Sequence, residues 1–147
     1  MMKKMSLAVV ALAFSGAAMA QCSFEIEGTD QMTWNLAEIK VPGDCAEVTV
    51  TLKHVGKLPK QTMGHGWVLT KAADMQAVSS AGMAASIAND HVPQGDSRVI
   101  AHIPLVGGGE SQSVTFSTSG LEKGADYSYF CPFPGHFAVM KGKLTFG

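Results

Sequence analysis

Short runs of alternating apolar and polar residues, broken every few positions by Gly, Pro, Asp or Ser, limit this chain more than any other feature. Val48, Val50 and Leu52 alternate with Thr49, Thr51 and Lys53, which describes a strand with one buried and one wet face. Eight such runs are expected, at residues 23–28, 31–36, 47–53, 66–70, 98–103, 111–117, 127–131 and 139–146. Their regular spacing favours an all-β sandwich or barrel. Residues 72–89 are the exception, because Ala, Met, Gln and Ser dominate there and β-branched residues are few. A helix or pair of helical turns is expected, with Met75, Val78, Gly82 and Ile87 facing inward and Gly82 opposing an uninterrupted helix. Such an insertion reads as a flap over one end of a sandwich, without chemistry of its own.

The N-terminus has the layout of an export signal: Lys3 and Lys4, an apolar stretch to about Phe14, then Ala18-Met19-Ala20 as a small-residue cleavage site. The stretch is too short to span a bilayer, and no later segment comes closer. Residues 1–20 are therefore expected to be a signal peptide and residues 21–147 a single domain. Loss of Lys3 and Lys4 lowers the basic count from 11 to 9 against 12 acids, a net charge of −3. No basic tract points to nucleic acid or to an anionic membrane. Three cysteines remain, and in an oxidising compartment two should pair, leaving one over. An unpaired thiol persists there when it is deeply buried or held by a metal.

The segment Cys131-Pro132-Phe133-Pro134-Gly135-His136-Phe137-Ala138-Val139-Met140 puts three nitrogen or sulfur donors within ten residues. Cys131 ends an expected strand, Pro134-Gly135 forces a turn that folds His136 back toward the thiolate, and Met140 opens the next strand. Gly64-His65-Gly66 offers a further imidazole where small neighbours let backbone approach closely. Two imidazoles, a thiolate and a thioether select copper over hard cations, and a His-His-Cys plane with a weak axial Met is the pattern of blue electron-transfer copper. Four filled positions leave no opening for a substrate, so the chain is not expected to be an enzyme. Around the metal, the Phe133 N–H is placed to hold the thiolate, and Phe133, Met63 and Met83 to limit water.

Rival readings explain less. A zinc site gains little from a thioether. A nucleophilic Cys131 with His136 as base lacks an orienting partner and an oxyanion loop. A multicopper oxidase needs further histidine clusters. The strongest alternative is a periplasmic copper chaperone or storage protein, which shares the ligands but calls for a labile, exposed site. Trp67 and the flap methionines read as packing, and His91 and His102 receive no chemistry.

Over nearly all of residues 21–147 the chain resembles the azurins, of the cupredoxin family. The resemblance rests on Cys22, Asp30-Gln31-Met32, Leu58-Pro59-Lys60, Met63-Gly64-His65, Trp67-Val68-Leu69, Ala72-Ala73-Asp74-Met75, the run from Asp96 to His102, and Phe130 through Gly142. It implies an eight-stranded Greek-key β-sandwich with a helical flap and a periplasmic, type 1 copper protein. It also implies one copper ion per chain, His65, Cys131 and His136 as equatorial ligands, Met140 and the Gly64 carbonyl as weak axial ones, and a Cys22–Cys45 disulfide. The implied docking surface is an apolar patch of Met32, Leu58, Met63, Met83, Phe133, Pro134, Gly135 and Ala138. Its implied partners are c-type cytochromes or a periplasmic reductase, met by a monomer. His54 matches a buried histidine near the copper. In two places the chain departs from the pattern: Gly66 stands where azurins commonly have Asn, and Pro132 where they commonly have Thr, removing a side-chain hydrogen bond between the ligand loops.

Overall fold

The computed structural model describes residues 21–147, so the expected leader, residues 1–20, lies outside the described residues. Within them the chain forms eight strands: β1 Ser23–Gly28, β2 Glu38–Val41, β3 Glu47–His54, β4 His65–Lys71, β5 Ala101–Val106, β6 Ser111–Ser117, β7 Tyr127–Phe130 and β8 Lys141–Phe146. A one-turn helix, α1 at Lys60–Met63, leads into β4. One sheet has the order β1-β3-β6 and the other β2-β8-β7-β4-β5. Pairs β1–β3 and β2–β8 are parallel, and the remaining pairs antiparallel. The architecture is the expected all-β sandwich.

Its core is made by the inward residues of both sheets. Val48, Val50 and Leu52 are fully buried on β3, as the alternation required, and Ile26, Ile39, Ile103 and Leu144 meet them. Each such aliphatic side chain contributes about 1.5–3 kcal/mol by leaving water. Trp67 is wholly buried between the sheets, its ring 5.8 Å from Tyr129 and 6.2 Å from Phe116. Packing accounts for it. Cys22 and Cys45 are joined in a disulfide, with Cα atoms 5.7 Å apart, which ties β1 to the segment entering β3. Cys131 is the free, buried cysteine among the described residues.

Three of the expected strands need correction. Residues 31–36 do not form a strand: Met32 N–H donates to the Thr29 carbonyl, the Thr29 and Thr33 hydroxyls bond at 2.7 Å, and Met32 takes φ 55°. That turn leaves only an isolated bridge between Trp34 and Gly28. The strand of this region is β2, whose two inward residues, Ile39 and Val41, make too brief a pattern to stand out. The strand expected at 98–103 lies at Ala101–Val106, because Asp96 captures both the backbone N–H and the guanidinium of Arg98 and closes a turn there. β8 starts at Lys141 rather than 139, since the Val139 and Met140 amides bond to the His136 carbonyl.

Residues 72–89 form the flap: a 3-10 turn at Ala72–Asp74, a helix α2 at Met75–Ala84 and a second 3-10 turn at Ile87–Asn89. The helix runs unbroken through Gly82, which is buried because the His91 carbonyl occupies the space a Cβ would need. Val78 faces inward as expected, but Ile87 is 38 % exposed, since the helix has ended before it.

Candidate metal centre

The antiparallel pairing of β4 with β7 places the start of one beside the end of the other. His65 opens β4, Cys131 follows β7 directly, and the segment from Cys131 to Met140 is the whole β7–β8 connection. Sheet topology therefore brings His65 to the loop that carries the other donors. The loop is closed by its own backbone: Cys131 N–H donates to the Met140 carbonyl at 2.9 Å, and Met140 N–H to the His136 carbonyl at 2.8 Å. Gly135 takes φ 83° at the turn, a conformation that favours glycine.

One donor atom from each of His65, Cys131 and His136 lies within 4.8 Å of the others, and all three residues are buried. Cys131 Sγ is 3.6 Å from His136 Nδ1 and 3.9 Å from the Gly64 carbonyl oxygen. Met140 is fully buried at the end of the same loop. Of the expected site residues, His65, Cys131, His136 and Gly64 are thus brought together at known distances, and Met140 is held next to them by its backbone.

His65 is turned by what its other nitrogen does. Nε2 donates to the Thr29 carbonyl at 2.8 Å, which leaves Nδ1 unprotonated, buried and without a hydrogen-bond partner. A buried lone pair with no partner is costly unless something binds it. His54 stacks beside it, its ring 4.3 Å from that of His65 and both its nitrogens engaged: Nε2 donates to the Met63 carbonyl, and Nδ1 accepts from Gly56 N–H. Gly28 closes in on the same ring, so that a Cβ there would sit 2.6 Å from His65 Cδ2.

The ionisation pattern follows from burial. His65 is pushed down to about 4, chiefly by burial and also by the neighbouring imidazoles, while its bond to the Thr29 carbonyl opposes the shift. Burial lowers His136 in the same direction. Burial drives the Cys131 thiol up to about 12, against the pull of two backbone N–H groups, those of Gly66 and Phe133, that point at its sulfur. Two neutral imidazoles and one thiol that must lose its proton are a donor set that fits a soft divalent or monovalent transition metal.

Comparison with known proteins agrees. The family profile described as copper binding proteins, plastocyanin/azurin family, matches residues 20–147. The chain belongs to the plastocyanin/azurin family. Azurin from Achromobacter denitrificans is 54 % identical over 145 residues, covering 98 % of this chain and 97 % of that protein. Azurin from Pseudomonas aeruginosa is 53 % identical over 126 residues, covering 86 % and 85 % respectively. A solved structure of an azurin, Az-iso2, from Methylomonas sp. strain J superposes with a TM-score of 0.83 at 46 % identity, covering 87 % of this chain and 99 % of that one. As a plastocyanin/azurin family member the chain is a copper-binding protein, and His65, Cys131 and His136 form its candidate copper site.

Sequence reasoning anticipated the Phe133 N–H at the sulfur but missed that of Gly66 and the Thr29 carbonyl that fixes His65. Both act through backbone atoms, which carry no residue-type signal. Of the apolar residues expected to surround the site, Met32, Leu58 and Met83 are 36 %, 41 % and 58 % exposed. Pro134, Gly135 and Ala138 are also exposed, and Met63 and Phe133 half-buried.

Proposed function

We propose that this family member is a periplasmic electron carrier that moves one electron at a time on a single copper that His65, Cys131 and His136 would hold, with Met140 and the Gly64 carbonyl as weaker donors. The observation that carries the reading is the orphaned Nδ1 of His65, which is buried together with the Cys131 sulfur and the His136 imidazole. Copper bound there supplies a one-electron couple. The protein's part is to keep the ligands fixed in both states: the Thr29 bond locks the His65 ring, the Cys131–Met140 backbone bond locks the loop, and burial excludes water. A site this enclosed favours retention of the metal over its delivery.

Electrons are proposed to leave and enter at the His136 end of the molecule, through the patch of Met32, Leu58, Met63, Met83, Phe133, Pro134 and Ala138. Apolar, adaptable side chains of this kind suit brief encounters with c-type cytochromes or a reductase. Export through residues 1–20, a single domain at 21–147 and a monomeric state belong to the same reading. The test is repeated reduction and reoxidation of the copper-loaded protein by a c-type cytochrome in the presence of a Cu(I) chelator. Full redox amplitude over many cycles is expected. Loss of the metal to the chelator on the first reduction sinks the carrier and points to copper delivery.

A further inference from the structure

Gly66 and Pro132 each directly follow a residue of the copper site, and both are buried. Strands β4 and β7 pair as far as Val68 and Phe130, and two residues further along that register Gly66 faces Pro132. The ladder cannot continue there, because proline has no N–H to give. On the other edge of β4 the register with β5 shifts: His65 pairs with Val106 but Trp67 with Ile103, which sets Gly66 opposite both Pro104 and Leu105. Pro104 also lacks an N–H, and Leu105 donates its own to the Asp90 carboxylate at 3.0 Å. At this bulge Gly66 therefore faces two prolines and an amide already engaged elsewhere, and its own N–H is one of two that act on the Cys131 sulfur.

What holds this peptide is shape. A Cβ on Gly66 would lie 3.1 Å from the Ile103 carbonyl oxygen, 3.1 Å from Leu105 Cδ2 and 3.2 Å from Pro132 Cδ, so the Gly66 backbone is gripped on three sides and the proline ring is one wall. We propose that Gly66 and Pro132 are an interlocked pair of positioning residues: the pyrrolidine ring, packed on the bare Gly66 peptide, keeps the Gly66 N–H aimed at the Cys131 sulfur and braces the two ligand loops without a side-chain hydrogen bond. The pair deepens the copper reading and rests on it, since the sulfur it positions is the proposed ligand. It also makes either residue unsuited to replacement alone. A side chain at 66 meets the ring, and loss of the ring frees the peptide.

The variants are Pro132→Ala, Gly66→Ala and the double change. In the metal-free protein, amide exchange at Gly66 is expected to quicken about tenfold in Pro132→Ala beyond any change at Val68 and Leu69. After Cu(II) loading, the same variant should show a displaced thiolate charge-transfer band and a shifted reduction potential, which a purely structural residue leaves in place. Gly66→Ala should be better tolerated in the Pro132→Ala background than in the otherwise unaltered protein, giving a non-additive cycle in thermal unfolding. The proposal is overturned if the Gly66 amide of Pro132→Ala exchanges in step with Val68 and Leu69, or if band and potential stay where they were. Pro132→Ala decides the matter even if Gly66→Ala does not fold. Failure of the unaltered protein to bind copper removes the ligand reading, and is separate from the exchange result, which reads the brace without metal.

Discussion

Acidifying the metal-free protein isolates the physical state of His65. An ordinary histidine titrates at 6.5, whereas burial holds His65 down at about 4. Between those values the unfolded chain takes up a proton that the folded chain refuses, so folding stability is intact above pH 6.5 and falls as pH drops toward 4. A gap of about 2.5 pH units at 1.36 kcal/mol each amounts to about 3 kcal/mol, and no discount for solvent is due because the residue is 0 % exposed. The depressed carboxylates do not blur this window: Asp96, held down to about 2 by Arg98, and Asp30, lowered first by the Lys57 N–H, titrate below it. His136 shifts in the same direction as His65 and adds to the loss. Urea unfolding of the metal-free protein at several pH values from about 7 to about 4.5 measures the slope, with His65→Leu as control. The unaltered protein should lose most of the roughly 3 kcal/mol at the acid end of that range, and the variant only the His136 share. A flat profile, or an equal loss in both proteins, refutes the assignment of His65 as a buried, neutral imidazole.

Three further outcomes follow from the same structure. Copper uptake near pH 7 should release about one proton per chain, because the Cys131 thiol is held up at about 12 and must ionise while His65 is already neutral; paired calorimetry in buffers of different ionisation enthalpy counts it. Gly28→Ala should weaken copper binding at least about tenfold with little change in the rest of the fold, since its Cβ would press on the His65 ring at 2.6 Å, and equilibrium competition with a chelator reads the change. Replacing Cys22 and Cys45 together by Ser should cost about 3 kcal/mol in unfolding free energy while leaving the copper spectrum unaltered, because the bond closes a loop between residues 23 apart and touches no metal donor.

The sequence was most readable where pattern and chemistry coincide. β1 and β6 run over the expected residues, and β3 differs only by its last residue; in β3 the alternating side chains divide between buried and partly exposed positions, and in β6 Val114 and Phe116 are the more covered of an exposed strand. The donor loop was legible because Cys, His and Met side chains announce themselves and Pro134-Gly135 marks the turn. Elsewhere the deciding contacts belong to backbone atoms. The turn at 29–33 hides behind an alternating Met32, Trp34, Leu36 pattern that mimics a strand, and the edge strand β2 is too short to show a period. That Thr29 would orient His65, or that Gly66 would give its N–H to Cys131, depends on where a carbonyl or an amide points after the sheets have twisted together. A residue such as Pro104 argues against a strand by composition, yet it is accommodated in β5 because that strand lies at a sheet edge and shifts register there.

The most direct test of the account is the visible spectrum of the protein titrated with Cu(II), before and after ascorbate, beside Cys131→Ser. One equivalent of copper should produce an intense charge-transfer band that bleaches on reduction, returns on reoxidation and is absent from the variant. A colourless complex, or a band that survives in Cys131→Ser, contradicts a copper held by the Cys131 thiolate and with it the proposed electron carrier.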